Sequence, residues 1–106
     1  MNLAELNNLL NSELTSKIKE SKEENGELLI NVELGNIYST LLFLKTDSKC
    51  KFRQLIDILA VDFPGEEDRF KIYYLLLSHE NNLRIKIVSQ IQIDSKVPSI
   101  TKIYPS

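Results

Sequence analysis

Few residues in this chain are equipped for chemistry, and their spacing limits what each could do. Asp57 and Asp62 sit in an apolar run, Arg53 to Phe63. They lie five positions apart, and side chains alternate along a strand, so the two carboxylates are expected on opposite faces. A carboxylate pair needs both groups at one bond to act as general acid and base; this spacing argues against it. Asp62 is placed to bond the turn that follows, and Asp57 reads as a solvated face residue. His79 is the single histidine and precedes Glu80. A neighbouring carboxylate can tune an imidazole, but the pair falls short of the ligands a tetrahedral zinc site requires. It reads as a solvated turn. Cys50 is the single cysteine, between Lys49 and Lys51. Flanking cations favour a thiolate, yet no histidine follows at the spacing of a cysteine nucleophile, and the residue reads as a semi-buried thiol near a strand start. The chain is expected to have no catalytic, metal-binding or cofactor-binding residue.

Composition excludes other functions. A single thiol makes neither an internal disulfide nor a cysteine-ligated iron–sulfur cluster. The three glycines build no phosphate-cradling motif, and the tyrosines and phenylalanines are spread over core positions rather than forming a stacking platform. The formal net charge is −2. Its most basic run, Lys17, Lys19 and Lys22, is diluted by Glu20, Glu23 and Glu24, so the clustered positive surface needed by a nucleic-acid binder is missing. The opening Met1-Asn2-Leu3-Ala4-Glu5 lacks the pattern of a secretory signal. The apolar run Tyr73 to Leu77, even with Ile72 before it, is far short of the roughly 20 residues that span a bilayer. Membrane association would have to pass through a partner. Arg69, Lys71, Arg84 and Lys86 fall on paired strands, as a solvated sheet face or a docking face.

The elements that must carry these residues follow from hydrophobic period. Leu3, Leu6, Leu10, Leu14 and Ile18 form one stripe and predict an amphipathic helix over 3–18, capped by Asn2 with Glu5 three residues on. Lys19 to Gly26 is polar, ends in Asn-Gly, and reads as a frayed helix end and turn. Residues 27–34 alternate as a strand. Gly35-Asn36 breaks it, and a second helix is expected from Ile37 to Lys45, capped by Asn36, with Ile37, Leu41 and Leu44 on one face. Residues 53–63, 69–78 and 83–92 read as three strands joined by short turns, an antiparallel meander. The last alternates Leu83, Ile85 and Ile87 with Arg84 and Lys86, then Ile91 and Ile93 with Gln90 and Gln92, as in a strand with one wet face. The expected fold is a single α+β domain of order α-β-α-β-β-β, its helices packed on one face of the sheet. Ser99 looks like an N-cap for Ile100 and Ile103, so the chain reads as stopping just after a new element begins, truncated after Ser106.

Three blocks of the second half carry a family resemblance. Phe52-Arg53-Gln54-Leu55 through Asp57 to Ala60-Val61-Asp62-Phe63-Pro64 is the first. Arg69-Phe70 through Tyr73-Tyr74-Leu75-Leu76-Leu77-Ser78, with Asn82 to Ile87, is the second. Val97-Pro98-Ser99 through Tyr104-Pro105-Ser106 is the third. In order and interval they resemble the 30-kilodalton subunit of proton-pumping NADH:quinone oxidoreductase (respiratory complex I), over about half the chain; residues 1–51 match it only in element order. That family continues into Ala-Asn-Trp, Tyr-Asp-Met-Phe-Gly and Gly-His-Pro-Asp-Leu-Arg-Arg segments that are absent here, which implies the N-terminal domain of a longer subunit. The resemblance implies a hydrophilic, cofactor-free subunit of the peripheral arm, on the cytoplasmic side of the membrane. It would hold the quinone-site and cluster-bearing subunits together and support electron transfer from NADH to quinone. The matching subunit of a membrane-bound hydrogenase, a small independent binding module, and a free-standing enzyme using Asp62, His79 or Cys50 are the rival readings.

Overall fold

The computed structural model describes residues 1–67, 70–92 and 94–105. The first helix, α1, spans Leu3–Glu13. Asn2 caps it in the expected reciprocal way: Asn2 Oδ1 accepts from the Glu5 amide at 2.9 Å, and the Glu5 carboxylate accepts from the Asn2 amide at 3.3 Å. Leu6, Leu10 and Leu14 are buried. The helix ends one turn sooner than its stripe suggests. The Thr15 hydroxyl donates to the Asn11 and Ser12 carbonyls, a local competition that loosens helix ends. Ile18 belongs instead to a strand, half-buried against the same core.

That strand, β1 (Ile18–Glu24), corrects the expectation of a frayed helix end. It carries one apolar residue, so no alternation announces it. The turn that follows holds it. Asn25 and Gly26 have φ of 53° and 78°, and positive φ at both central residues is the hairpin turn that matches strand twist. β1 then runs antiparallel to β2, Glu27–Val32, with a bulge between Ile18 and Glu20. A short 3-10 turn at Leu34–Asn36 leads into the second helix, α2, Ile37–Thr46. Asn36 stands at its cap position, but its side chain makes no capping bond. Ile37, Leu41 and Leu44 are buried as their spacing predicts.

The second half forms the expected meander. Strand β3 (Gln54–Asp62) pairs antiparallel with β4 (Phe70–Ser78), and β4 with β5 (Leu83–Ile91). Arg69 and Ile93, assigned to strands from the sequence, lie outside the described residues. The meander is not the whole sheet. β2 pairs parallel with β5, giving one five-stranded mixed sheet of order β1-β2-β5-β4-β3. The fold class is α+β, and the element order is α-β-β-α-β-β-β rather than α-β-α-β-β-β. Leu28, Ile30 and Val32 of β2, Ile85 and Ile87 of β5, and Ile72, Tyr74 and Leu76 of β4 share one core cluster with the apolar residues of both helices. The helices therefore cover one face of the sheet. The buried Ser89 hydroxyl donates to the Val32 carbonyl at 2.5 Å, so this polar group enters the core satisfied.

No described helix begins at Ser99. Its hydroxyl meets that of Thr101 at 3.2 Å, and the chain makes a turn in which the Ile103 and Tyr104 amides both donate to the Ile100 carbonyl. Ile100, Ile103 and Tyr104 are buried. Tyr104 Oη donates to the Phe52 carbonyl at 2.5 Å, and Lys45 Nζ donates to the Ile103 carbonyl. The segment is thus fastened to α2 and to Phe52, two residues before β3.

Candidate functional site

The structure separates the chemically capable residues. Asp57 pairs across the ladder with Leu75 and Asp62 with Phe70, an odd offset that leaves them on opposite faces as expected. His79 lies in the turn between β4 and β5, its Nε2 2.5 Å from Gln54 Oε1 at the start of β3. Asp62 is eight residues further along that strand, roughly 26 Å at ordinary strand rise. Arg53 and Glu80 form an ion pair beside His79. Among the described residues no three of His, Cys, Asp and Glu gather as a metal site would require, and no helix is long and apolar enough to cross a membrane.

Cys50 is more enclosed than its neighbours suggest. Its side chain is fully buried in the core cluster. Asp47 Oδ1 accepts from the Lys49 and Cys50 amides at 2.8 and 3.1 Å, folding the chain so that the lysines point out and the thiol in. Burial pushes the thiol pKa up to about 12, aided by the Asp47 charge and its hydrogen bond. The flanking cations do not rescue the thiolate. Asn81 Nδ2 donates to the Lys49 and Cys50 carbonyls at 2.7 and 2.9 Å, tying the β4–β5 turn to this corner.

The feature that sequence reasoning passed over is the position of β3. Leu55, Ile56, Ile58, Leu59 and Val61 occupy both side-chain phases of this strand, the pattern of a strand covered on both faces. Yet β3 is a sheet edge. Ile56, Ile58 and Leu59 are 42, 42 and 43% exposed. On the helix side a groove of about 470 Å³ runs between β3 and the Ile100–Pro105 turn. On the open side Leu59 and Val61 adjoin Phe63, Tyr73 and Leu75. The opposite edge, β1, is protected: Lys19, Glu20, Lys22, Glu23 and Glu24 crowd it, the kind of charge that discourages strand addition. The basic residues of the open face are partly engaged, Lys86 with Glu27 at 3.4 Å and Lys71 over the Phe63 ring at 4.9 Å.

The chemically capable residues are thus dispersed among the described residues, and Ile56, Ile58 and Leu59 line up exposed along the β3 edge. Residues 30–106 match the family described as respiratory-chain NADH dehydrogenase, 30 Kd subunit, and the chain belongs to this family. It is 40% identical over 103 residues to the C subunit of the NADH-quinone oxidoreductase of Bartonella bacilliformis, covering 97% of this chain and 50% of that protein. The C subunit of the Mesorhizobium japonicum oxidoreductase is 35% identical over 103 residues, covering 97% and 51%. Its counterpart in Agrobacterium fabrum is 44% identical over 79 residues, covering 74% and 40%. The similarity therefore reaches well ahead of Phe52, beyond the half carrying the resemblance. The chain spans about half the length of the curated relatives it matches.

Proposed function

We propose that this chain acts as the N-terminal domain of a structural subunit in the peripheral arm of an NADH:quinone oxidoreductase, without catalytic or cofactor-binding residues of its own. It contacts the quinone-site and cluster-bearing subunits on the cytoplasmic side of the membrane, and meets the membrane only through the complex. It supports electron transfer by holding other subunits in place. The observation that carries this reading is the family match over residues 30–106. The exposed apolar β3 edge supports it as well, because permanent interfaces are the usual reason for a soluble domain to leave such surface uncovered.

The test is affinity purification of the natural full-length protein, tagged at its own locus, from gently solubilised membranes. The expected outcome is a ladder of co-purifying subunits with NADH:quinone reductase activity in the eluate. A lone protein that stays out of the membrane fraction would refute the proposal.

A further inference from the structure

The uncovered edge states what should cover it. β3 is nine residues long and contains neither lysine nor proline, two of the devices that keep an edge from pairing. A bulge between Leu55 and Asp57 places one irregularity in it. Otherwise its backbone is presented as a template, with apolar side chains exposed toward both faces. Its central charge is Asp57. The Asp57 carboxylate accepts from the Ile58 amide at 2.8 Å, so it lies along the strand, and no described cation stands within ion-pair distance of it.

We propose that β3 receives an extended segment of a partner protein, paired edge to edge, apolar in its alternation and bearing a lysine or arginine opposite Asp57. This rests on the reading of the chain as a subunit, since the partner is another subunit of the same assembly. Main-chain bonds along the edge supply the attachment. Side chains entering the groove beside Ile100 and Tyr104 supply register, as in other strand-addition interfaces. The charge selects the partner, because like charges directly opposite in a sheet destabilise it and opposite charges stabilise it.

A second copy of this chain fits poorly. Two β3 strands related by a two-fold axis run antiparallel, and the cation nearest the strand is Arg53. Bringing Arg53 opposite Asp57 also brings Phe52 opposite Ile58, and Phe52 is wholly buried. Arg53 is moreover held by Glu80. Placing Lys51 opposite Asp57 instead sets the buried Phe52 opposite Ile56, and registers that set Asp57 against β3 itself offer it no counter-charge.

The experiment uses the 106-residue chain and two synthetic eight-residue peptides of alternating valine and threonine, one with a central lysine and one with a central glutamate. Amide hydrogen exchange, followed residue by residue, reports where each binds. The lysine peptide is expected to slow exchange within residues 55–61 and to bind about fivefold to tenfold more tightly than the glutamate peptide. Asp57→Asn, nearly isosteric, should remove the discrimination, and Asp57→Lys should reverse it. Equal binding of both peptides, protection confined to other strands, or protection of β3 that grows with chain concentration alone would overturn the proposal, the last in favour of self-pairing. A chain that purifies with an active complex but shows no such discrimination overturns this inference and leaves the proposed function standing. A chain that discriminates but never joins a complex refutes the proposed function, and with it the identity of the partner, while the charge-selected pairing at β3 stands.

Discussion

Cys50 illustrates how little a residue's sequence neighbours say about its reactivity. Lys49 and Lys51 would favour a thiolate if the sulfur stood between them in water. The Asp47 turn sends it into the core instead. With its pKa at about 12, thiolate is scarce at neutral pH, and the thiol is walled off besides. Iodoacetamide at pH 8 is therefore expected to leave the native chain unmodified over the time in which it fully alkylates the chain in denaturant, as read by intact mass. Rapid native alkylation would contradict the buried placement. Tyr104 makes a second residue-scale case. Its hydroxyl is the donor to the Phe52 carbonyl, and Tyr104→Phe leaves that carbonyl without its partner in a buried place. A loss of about 1–3 kcal/mol is expected from denaturant unfolding, with little change in the secondary structure seen by circular dichroism.

At the scale of elements, the Asn25-Gly26 turn does most to define β1. Gly26 has φ of 78° with open space around it, so a methyl group there meets no neighbour but puts an L residue in the left-handed region. Gly26→Ala is expected to cost about 1 kcal/mol, and amide exchange in β1 should rise more than in β4. The sequence contains the signal for this hairpin. Asn-Gly is the strongest short-range hairpin marker, but it weighs less than period when the strand before it has only Ile18 to bury. The helices, β2 and the meander were legible because Leu6 and Leu10, Ile37 and Leu41, or Ile85 and Ile87 recur at the period of their element. The parallel β2–β5 pairing was not legible, since no local pattern distinguishes a neighbour more than fifty residues away from one across a short turn. The status of β3 was hidden for a related reason: its side chains describe a covered strand, and only the sheet order shows that nothing in the described fold covers it.

For the whole molecule, the buried titrating groups give stability a direction in pH. Burial raises the pKa of Cys50, Tyr74 and Tyr104 above their ordinary values. Each is held protonated in the folded state to a higher pH than in the unfolded chain, so the folded state binds more protons and stability falls as pH rises. The loss begins where the unfolded groups titrate, from about pH 8.5 for cysteine and about pH 10 for tyrosine, and continues toward the folded values. The melting temperature should be insensitive to these groups at pH 7–8 and decline steeply above about pH 9. A melting curve flat to pH 11 would count against the buried assignments. Native-state hydrogen exchange should also be graded across the sheet, slowest at Ile30, Ile85 and Ile87 in β2 and β5, and faster at both edges.

The sheet order has a further consequence, felt while the chain is being made. β5 lies between β2 and β4, yet it is the last of the five strands to leave the ribosome. Until it arrives, the β1–β2 hairpin and the β3–β4 hairpin have no common strand to join them. The nascent chain must carry two unfinished half-sheets until that strand emerges. This is the interval in which misassembly threatens, and it closes only when one strand is inserted between the two halves.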